Sequence, residues 1–282
     1  MSALNPIYVK SIVKSALAED IGTGDITTTL TIPDRSEATG VIGAKDQGVI
    51  AGLELVRVTF RAVDDQIAVK EAVHDGAKVS CGETIATVSG RTRGILTGER
   101  VALNFLQRMS GIATITARFV ELVSHTKARI VDTRKTSPGL RPLEKYAVTV
   151  GGGLNHRLGL YDGILIKDNH ISAAGGVSAA VRAAKKRAPH TLKIEVEVSS
   201  LNQLDEALQA GADAVLLDNM SADLMKEAVE LAAGTVITEA SGGVSEHTVR
   251  EIAQTGVDLI SVGALTHSAQ ALDINLHITP VS

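Results

Sequence analysis

An α/β fold built on a parallel sheet is predicted for this chain by three observations. From about Ala128 onward, apolar β-branched runs alternate with amphipathic helical stretches. The strand candidates are almost continuously apolar, as strands buried on both faces are. About six such units follow one another, which suggests a barrel related to the (β/α)₈ type. A doubly wound open sheet competes with it, but no Gly-x-Gly-x-x-Gly follows the first strand candidate.

The elements read off in order. Asn5-Pro6 opens a helix, with Asn as N-cap and Pro at the first helical position. Val9, Ile12, Val13, Ala16 and Leu17 then recur on one helical face. Short strand-like runs follow at 41–52, 67–73 and 83–90, with turn signals at Asp75-Gly76 and Cys81-Gly82. From Ile95 to Val123 the pattern is helical. The strand candidates beyond it are 129–133, 163–167, 193–198, 214–219, 236–241 and 259–264. Helix candidates lie between them at 140–150, 177–188, 200–211, 221–234 and 246–256. Ser200 with Gln203 reads as a capping box, and Gly211 and Gly256 sit where helices should stop.

Composition sets the class. The chain has 282 residues, enough for one large domain or two modest ones. Hydrophobic residues are 44% and charged residues 21%, which excludes a disordered chain. Aromatics are only 2%, so Ala, Val, Leu and Ile must build the core. A net charge of -4 gives no reason to expect nucleic acid as a partner. No uninterrupted apolar run is long enough for a membrane span, and residues 1–20 lack the apolar stretch of a signal peptide. The single cysteine, Cys81, cannot form an internal disulfide, so a cytoplasmic protein is expected.

In folds of this class the chemistry gathers at the carboxyl ends of the strands, and here those ends are polar. The first ends Asp132-Thr133-Arg134-Lys135 and the second Lys167-Asp168-Asn169-His170. The third carries Glu195 and Glu197, two apart and therefore on one face. The fourth ends Asp218-Asn219, the fifth Glu239-Ala240-Ser241-Gly242-Gly243 and the sixth Gly263-Ala264-Leu265. His156 and Arg157 lie between the first two strands.

Two groups emerge. Arg134, Lys135, His156, Arg157 and Lys167 form a cationic set that implies an anionic ligand. Glu197 and Asp218, with Glu195 and Glu239 as further members, form a carboxylate set that implies Mg²⁺ beside phosphate oxygens. The glycine-containing segments 241–243 and 263–265 suit backbone contact with a phosphate. Blander readings stand beside these. Glu195 could form a structural ion pair, His156 could be a satisfied structural histidine, Glu239 could cap a strand end, and residues 151–153 could be a plain helix C-cap. Lys185, Lys186 and Arg187 read as a solvated helix face.

Several motifs together resemble the quinolinate phosphoribosyltransferase (nicotinate-nucleotide pyrophosphorylase, carboxylating) family. They are EDIGTGDITT (19–28), GERVALNFLQRMSGIAT (98–114), DTRKTSPGLRPLEKYAVTVGGGLNHRLGL (132–160), ILIKDNHI (164–171), EVEV (195–198), LLDN (216–219), SGG (241–243) and VGALTHS (262–268). They run in order over nearly the whole chain. The resemblance implies an N-terminal α/β sandwich domain over 1–110, with the tail 270–282 packing back on it, and an incomplete parallel α/β barrel over 111–269. It implies transfer of a phosphoribosyl group from phosphoribosyl pyrophosphate to quinolinate with decarboxylation and Mg²⁺, in a homodimer or a higher assembly of dimers.

By position, the resemblance puts Thr133, Arg134, Lys135, His156, Arg157 and Lys167 in the substrate pocket. It gives Arg100 as an arginine donated across the dimer interface. Lys135, Lys167, Glu197 and Asp218 are the expected catalytic residues. Glu197 and Asp218 are also the expected metal ligands, directly or through water. Ser241, Gly242, Gly243, Gly263, Ala264 and Leu265 are the expected 5′-phosphate segments. Two rivals remain at this stage. A barrel aldolase or lyase could use Lys167 as a Schiff-base lysine, and a related phosphoribosyltransferase could take another base. A non-catalytic phosphosugar-binding barrel would lack the Glu197 and Asp218 pair, which this chain has.

Overall fold

A computed structural model gives the fold and describes residues 4–281. In chain order the elements begin with α1 (Pro6–Ile21), α2 (Ile26–Thr31), β1 (Glu37–Ala44), β2 (Gly48–Val49) and α3 (Leu53–Val63). Next come β3 (Ala68–Glu71), β4 (Lys78–Val79), β5 (Thr84–Arg91), α4 (Thr92–Val123), β6 (Arg129–Val131) and α5 (Arg141–Val150). Then follow β7 (Ile164–Ile166), α6 (Asp168–Ala174), α7 (Val177–Arg187), β8 (Ile194–Val198), α8 (Leu201–Ala210) and β9 (Ala214–Asp218). The last are α9 (Ala222–Ala232), β10 (Ile237–Ser241), α10 (Val249–Gln254), β11 (Leu259–Ser261), α11 (Ala264–His267) and β12 (Ile274–Pro280).

The chain divides into two compact units. The first comprises Met1–Ala117, Pro142–Gly152 and Ala269–Ser282, and the second Arg118–Arg141 and Gly153–Ser268. The first is organised by a four-stranded antiparallel sheet in the order β12-β1-β5-β3. Ile42, Phe60, Val88, Leu103 and Leu106 share its core, so β1, α3, β5 and α4 bury one face together. Asn5 caps α1 as its sequence demands, its Oδ1 accepting from the amides of Ile7 and Tyr8. The tail is tied down along its length. Leu272 N–H donates to Gln107 O at 3.0 Å, Gln107 Nε2 donates to Ile274 O at 2.7 Å, and β12 then pairs with β1.

The second unit holds a six-stranded parallel sheet in the order β6-β11-β10-β9-β8-β7. From β7 to β11 each strand lies beside its predecessor, always in the same direction. With right-handed crossovers this keeps the helices on one face, and the sheet curls. The first strand, β6, then sits beside the last, β11. A doubly wound sheet reverses direction at a switch point, and none occurs here. The ring stays incomplete, since the gap between β6 and β7 carries only the isolated bridge Val131–Leu154. Among the described residues no helix is long and apolar enough to cross a membrane.

Some elements go unread in the sequence, α2, α3, α11 and β12 among them, and others differ from the reading. α3, with the sequence LELVRVTFRAV, is rich in β-branched residues that favour strands; burial of Leu55, Val56 and Phe60 overrides that preference. α6 begins at Asp168, directly after β7, inside a polar segment read as strand-end chemistry alone. The helix expected over 246–256 shortens to α10. Ser245 and Thr248 exchange main-chain to side-chain hydrogen bonds, so the first residues form a turn instead.

Candidate active site

Register places the polar residues of the second unit. Glu197 of β8 pairs with Leu216 of β9, which pairs with Glu239 of β10. Ser241 pairs with Asp218. Side chains alternate along a strand, so Glu195, Glu197, Asp218, Glu239 and Ser241 all share one face. They lie at two depths. Asp218 and Ser241 close their strands at the carboxyl end, while Glu195 is the second residue of its strand and Glu239 the third.

The carboxyl-end group is tied loop to loop. Lys167, directly after β7, is half exposed and sits 3.5 Å from Glu197. Asp218 accepts from the side-chain amide of Asn219 at 2.9 Å, and Asn219 N–H donates to Ser241 O at 2.9 Å. Asn219 itself has φ 52°, and Gly242 has φ 94° with no room for a Cβ beside the Asn219 side chain. Any larger residue at 242 would separate the two loops. After β6, Lys135 N–H donates to Thr133 Oγ1 at 3.0 Å, and Lys135 O accepts from Thr266 Oγ1 at 2.7 Å. A Cβ on Gly263 would lie 3.1 Å from Lys135 Cδ, so these two strand-end segments also touch. In the 263–265 segment, Ala264 is partly buried and the Leu265 side chain fully buried, which leaves the backbone as its polar surface.

Below this group lies a denser one. Arg157 and Arg134 each keep a buried Nε with no hydrogen-bond partner. Burial, then the charge of Arg134, pull the Arg157 guanidinium below its ordinary range, while Glu195 and Asp162 work the other way. Arg157 Nη1 donates to Gly163 O at 3.1 Å. Asp162 holds the turn beside it, accepting from the amides of Leu158 at 2.7 Å and Gly159 at 2.8 Å. Arg141 donates to Thr136 Oγ1 and to Leu158 O, stitching the segment after β6 to the one before β7.

His156 binds Glu195 at 3.0 Å, with Glu239 at 3.8 Å. Glu239 is 1% exposed, and its Oε1 has no hydrogen-bond partner. Burial first, then the facing Glu195, hold its carboxyl well above the usual carboxylate range; His156 and nearby Ser261 oppose the shift. A cavity of about 510 Å³ opens here, lined by His156, Arg157, Glu195 and Glu239 and by the first residues of four strands, Ile164, Ala214, Ile237 and Leu259.

Among the residues singled out by sequence, the structure pairs Lys167 with Glu197, the 218–219 segment with 241–242, Lys135 with the 263–266 segment, and His156 with Glu195 and Glu239. Arg100 is exposed on the portion of α4 that belongs to the first unit. Asp132 and Asp162 gained no role from sequence reasoning. Asp132 is fully buried and accepts from His156 N–H at 2.8 Å. Periodicity could have indicated its burial; the turn-holding role of Asp162 has no local signal. Lys185, Lys186 and Arg187 are exposed, as their charge run suggests.

A curled parallel sheet with polar side chains at its strand ends defines an α/β barrel-like protein. Comparison with known proteins makes the assignment specific. The C-terminal domain of quinolinate phosphoribosyl transferase matches residues 112–277, and its N-terminal domain matches residues 25–110. The chain is 47% identical to the nicotinate-nucleotide pyrophosphorylase [carboxylating] of Mycobacterium leprae, over 94% of this chain and 95% of that protein. It is 42% identical to the probable enzyme of that name from Bacillus subtilis, over 98% of this chain and 95% of the other. The solved nicotinate-nucleotide pyrophosphorylase of Francisella tularensis superposes with a TM-score of 0.95 at 42% identity, covering 98% of each chain. The chain belongs to the quinolinate phosphoribosyltransferase family.

Proposed function

We propose that this enzyme transfers the phosphoribosyl group of phosphoribosyl pyrophosphate to quinolinate with loss of CO₂, giving nicotinate mononucleotide and pyrophosphate. The observation that carries the reading is the rim itself, where Lys167 sits 3.5 Å from Glu197 and the 218–219 and 241–243 loops interlock, in a chain of this family. Quinolinate carries two carboxylates beside a ring nitrogen. Arg134, Lys135, Arg157 and Lys167 neutralise them, assisted by Thr133, and His156 belongs to the same pocket. The loops 241–243 and 263–265 offer backbone N–H groups to the 5′-phosphate.

The ring nitrogen attacks the anomeric carbon as pyrophosphate departs, through an oxocarbenium-like state. Glu197 and Asp218 stabilise that positive charge. The ring is then a cation, and the bond to the C2 carboxylate breaks with its electron pair left beside the positive nitrogen. A proton replaces the departing CO₂. The protein's part is placement and charge matching. Glu197 and Asp218 share a face on adjacent strands and offer only oxygen donors, a set that fits Mg²⁺ held directly or through water. Bound there, Mg²⁺ supplies charge neutralisation of the pyrophosphate leaving group. The assembly is a homodimer or a multiple of it, with Arg100 reaching the partner's pocket. A cytoplasmic location suits this reaction.

Purified protein given carboxyl-labelled quinolinate, phosphoribosyl pyrophosphate and Mg²⁺ is expected to release labelled CO₂ and form nicotinate mononucleotide. Nicotinate in place of quinolinate should turn over poorly, because it leaves part of the cationic pocket unpaired. Equal turnover of the two would reject the reading. Lys167 is expected to pair charge and to form no covalent bond, so borohydride should trap no adduct on it. A charge-assisted contact contributes about 1.5–3 kcal/mol, or roughly ten- to a hundredfold. Lys167 is 49% exposed, so water screens it and Lys167→Ala belongs near the lower end. Steady-state kinetics of that variant give the number.

A further inference from the structure

His156 is held at three atoms. Its main-chain N–H donates to Asp132 Oδ1 at 2.8 Å, its Nδ1 accepts the main-chain N–H of Arg157 at 2.8 Å, and its Nε2 lies 3.0 Å from Glu195 Oε2. A nitrogen that accepts a hydrogen bond carries no proton, so the proton of the neutral ring is on Nε2 and is donated to Glu195. The tautomer decides what this cluster can hold. Nε2, Glu195 and Glu239 offer ligand atoms within 4.8 Å of one another, a spacing that would suit a metal ion. A metal at Nε2 would require the proton on Nδ1, where the Arg157 N–H already points. The cluster is therefore organised around protons.

We propose that Glu195 is a positioning residue for quinolinate binding, acting through the His156 ring on Arg157. The inference rests on the function proposed above. Glu195 fixes the ring by taking its Nε2–H. The ring, through Nδ1, fixes the main chain of Arg157, whose guanidinium is steered further by Gly163 O. Among the described residues, the other charged groups recorded at the ring or at this guanidinium are Asp132, Asp162, Arg134 and Glu239. Asp132 holds the His156 amide, Asp162 and Arg134 act on the Arg157 guanidinium, and Glu239 is buried below. None of them accepts Nε2–H within hydrogen-bond distance as Glu195 does, since Glu239 lies at 3.8 Å. Of the two sequence readings of Glu195, a plain structural ion pair and a member of the site, this is a third: a pair that aims the site.

The test compares Glu195→Gln with Glu195→Ala. Gln keeps an oxygen that accepts from Nε2–H; Ala does not. Glu195→Ala is expected to raise KM for quinolinate about tenfold, the loss of the one hydrogen bond that fixes the ring, with kcat and KM for phosphoribosyl pyrophosphate changed less than about threefold. Glu195→Gln should stay within about threefold of wild type in all three. Imidazole ¹⁵N spectra supply a readout that needs no turnover. Wild type and Gln should show a protonated Nε2 and a bare Nδ1 at His156, and Ala a mixture of tautomers. Equal loss in Gln and Ala would overturn the proposal, since charge alone would then be the role. A lowered Tm with unchanged KM in Ala would overturn it in favour of a structural pair, and so would a protonated Nδ1 in wild type. Failure of wild type to consume quinolinate, with the ¹⁵N pattern intact, would fault the proposed function instead.

Discussion

Protein carrying Arg100→Ala, mixed with protein carrying Lys135→Ala, is expected to regain about a quarter of wild-type turnover although each variant alone is nearly inactive. Arg100 and Lys135 belong to different compact units of the chain. Arg100 is exposed on α4, and Lys135 stands in the turn after β6, its amide bound to Thr133 and its carbonyl to Thr266. In a two-fold dimer each contact is repeated reciprocally. A mixed dimer then contains one site with an intact Lys135 and the partner's intact arginine, and one site with both lesions. Random reassortment makes about half of the dimers mixed, each with one good site of two. The check is turnover after subunit exchange has been demonstrated with differently tagged chains. Activity that stays at the level of the single variants would mean that Arg100 does not act in trans.

Gly111→Ala is expected to be the most destabilising single-methyl change in the first unit. In an isolated helix the same change would stabilise by about 1 kcal/mol, because Ala is the better helix former. Here a Cβ at position 111 would overlap the carbonyl oxygen of Gln270 and crowd the Cα of Ala271. Both are backbone, so no side chain can swing aside. They also belong to the segment held by Arg108 Nη1 on Ala269 O and by Leu272 N–H on Gln107 O. Moving that segment would strain the β12–β1 pairing beyond it. Overpacking against such a site costs about 3 kcal/mol, which outweighs the propensity gain and lowers Tm by roughly 5–10 °C. Thermal unfolding by circular dichroism tests this, and a Tm within a degree or two of wild type would show that the tail yields freely.

The strand-helix alternation of the second unit was plain in the sequence because its strands are short and mostly apolar while its longer helices bury one face. Ala214-Val215-Leu216-Leu217 and the capped run 200–211 carry those signals locally. The cap itself shows the limit of such reading. Gln203 N–H donates to Ser200 Oγ as expected, but the Gln203 side chain takes the amide of Ser199. The rim residues were legible because a strand's end is visible in sequence. The cluster beneath them was only half legible. The two-residue spacing puts Glu239 and Ser241 on one face, as it does Glu195 and Glu197, yet nothing local says that Glu239 meets His156. That contact depends on how the sheet curls. The return of Pro142–Gly152 to the first unit likewise leaves no local mark.

The pairing of β12 with β1 bears on how this protein is made. The four-stranded sheet lacks its outer strand until residues 274–280 have been synthesised, by which point all of the second unit has left the ribosome's active centre. More than two hundred residues separate β1 from its partner. At ~5–20 residues per second that is on the order of ten seconds or more, during which the β1 edge of the nascent chain, with the half-exposed Val41, stands open. The barrel-like half can fold first, and the half that begins the chain finishes last. Protection of that bare edge by a chaperone, or slow translation of the tail, would therefore govern yield more than the stability of either finished half.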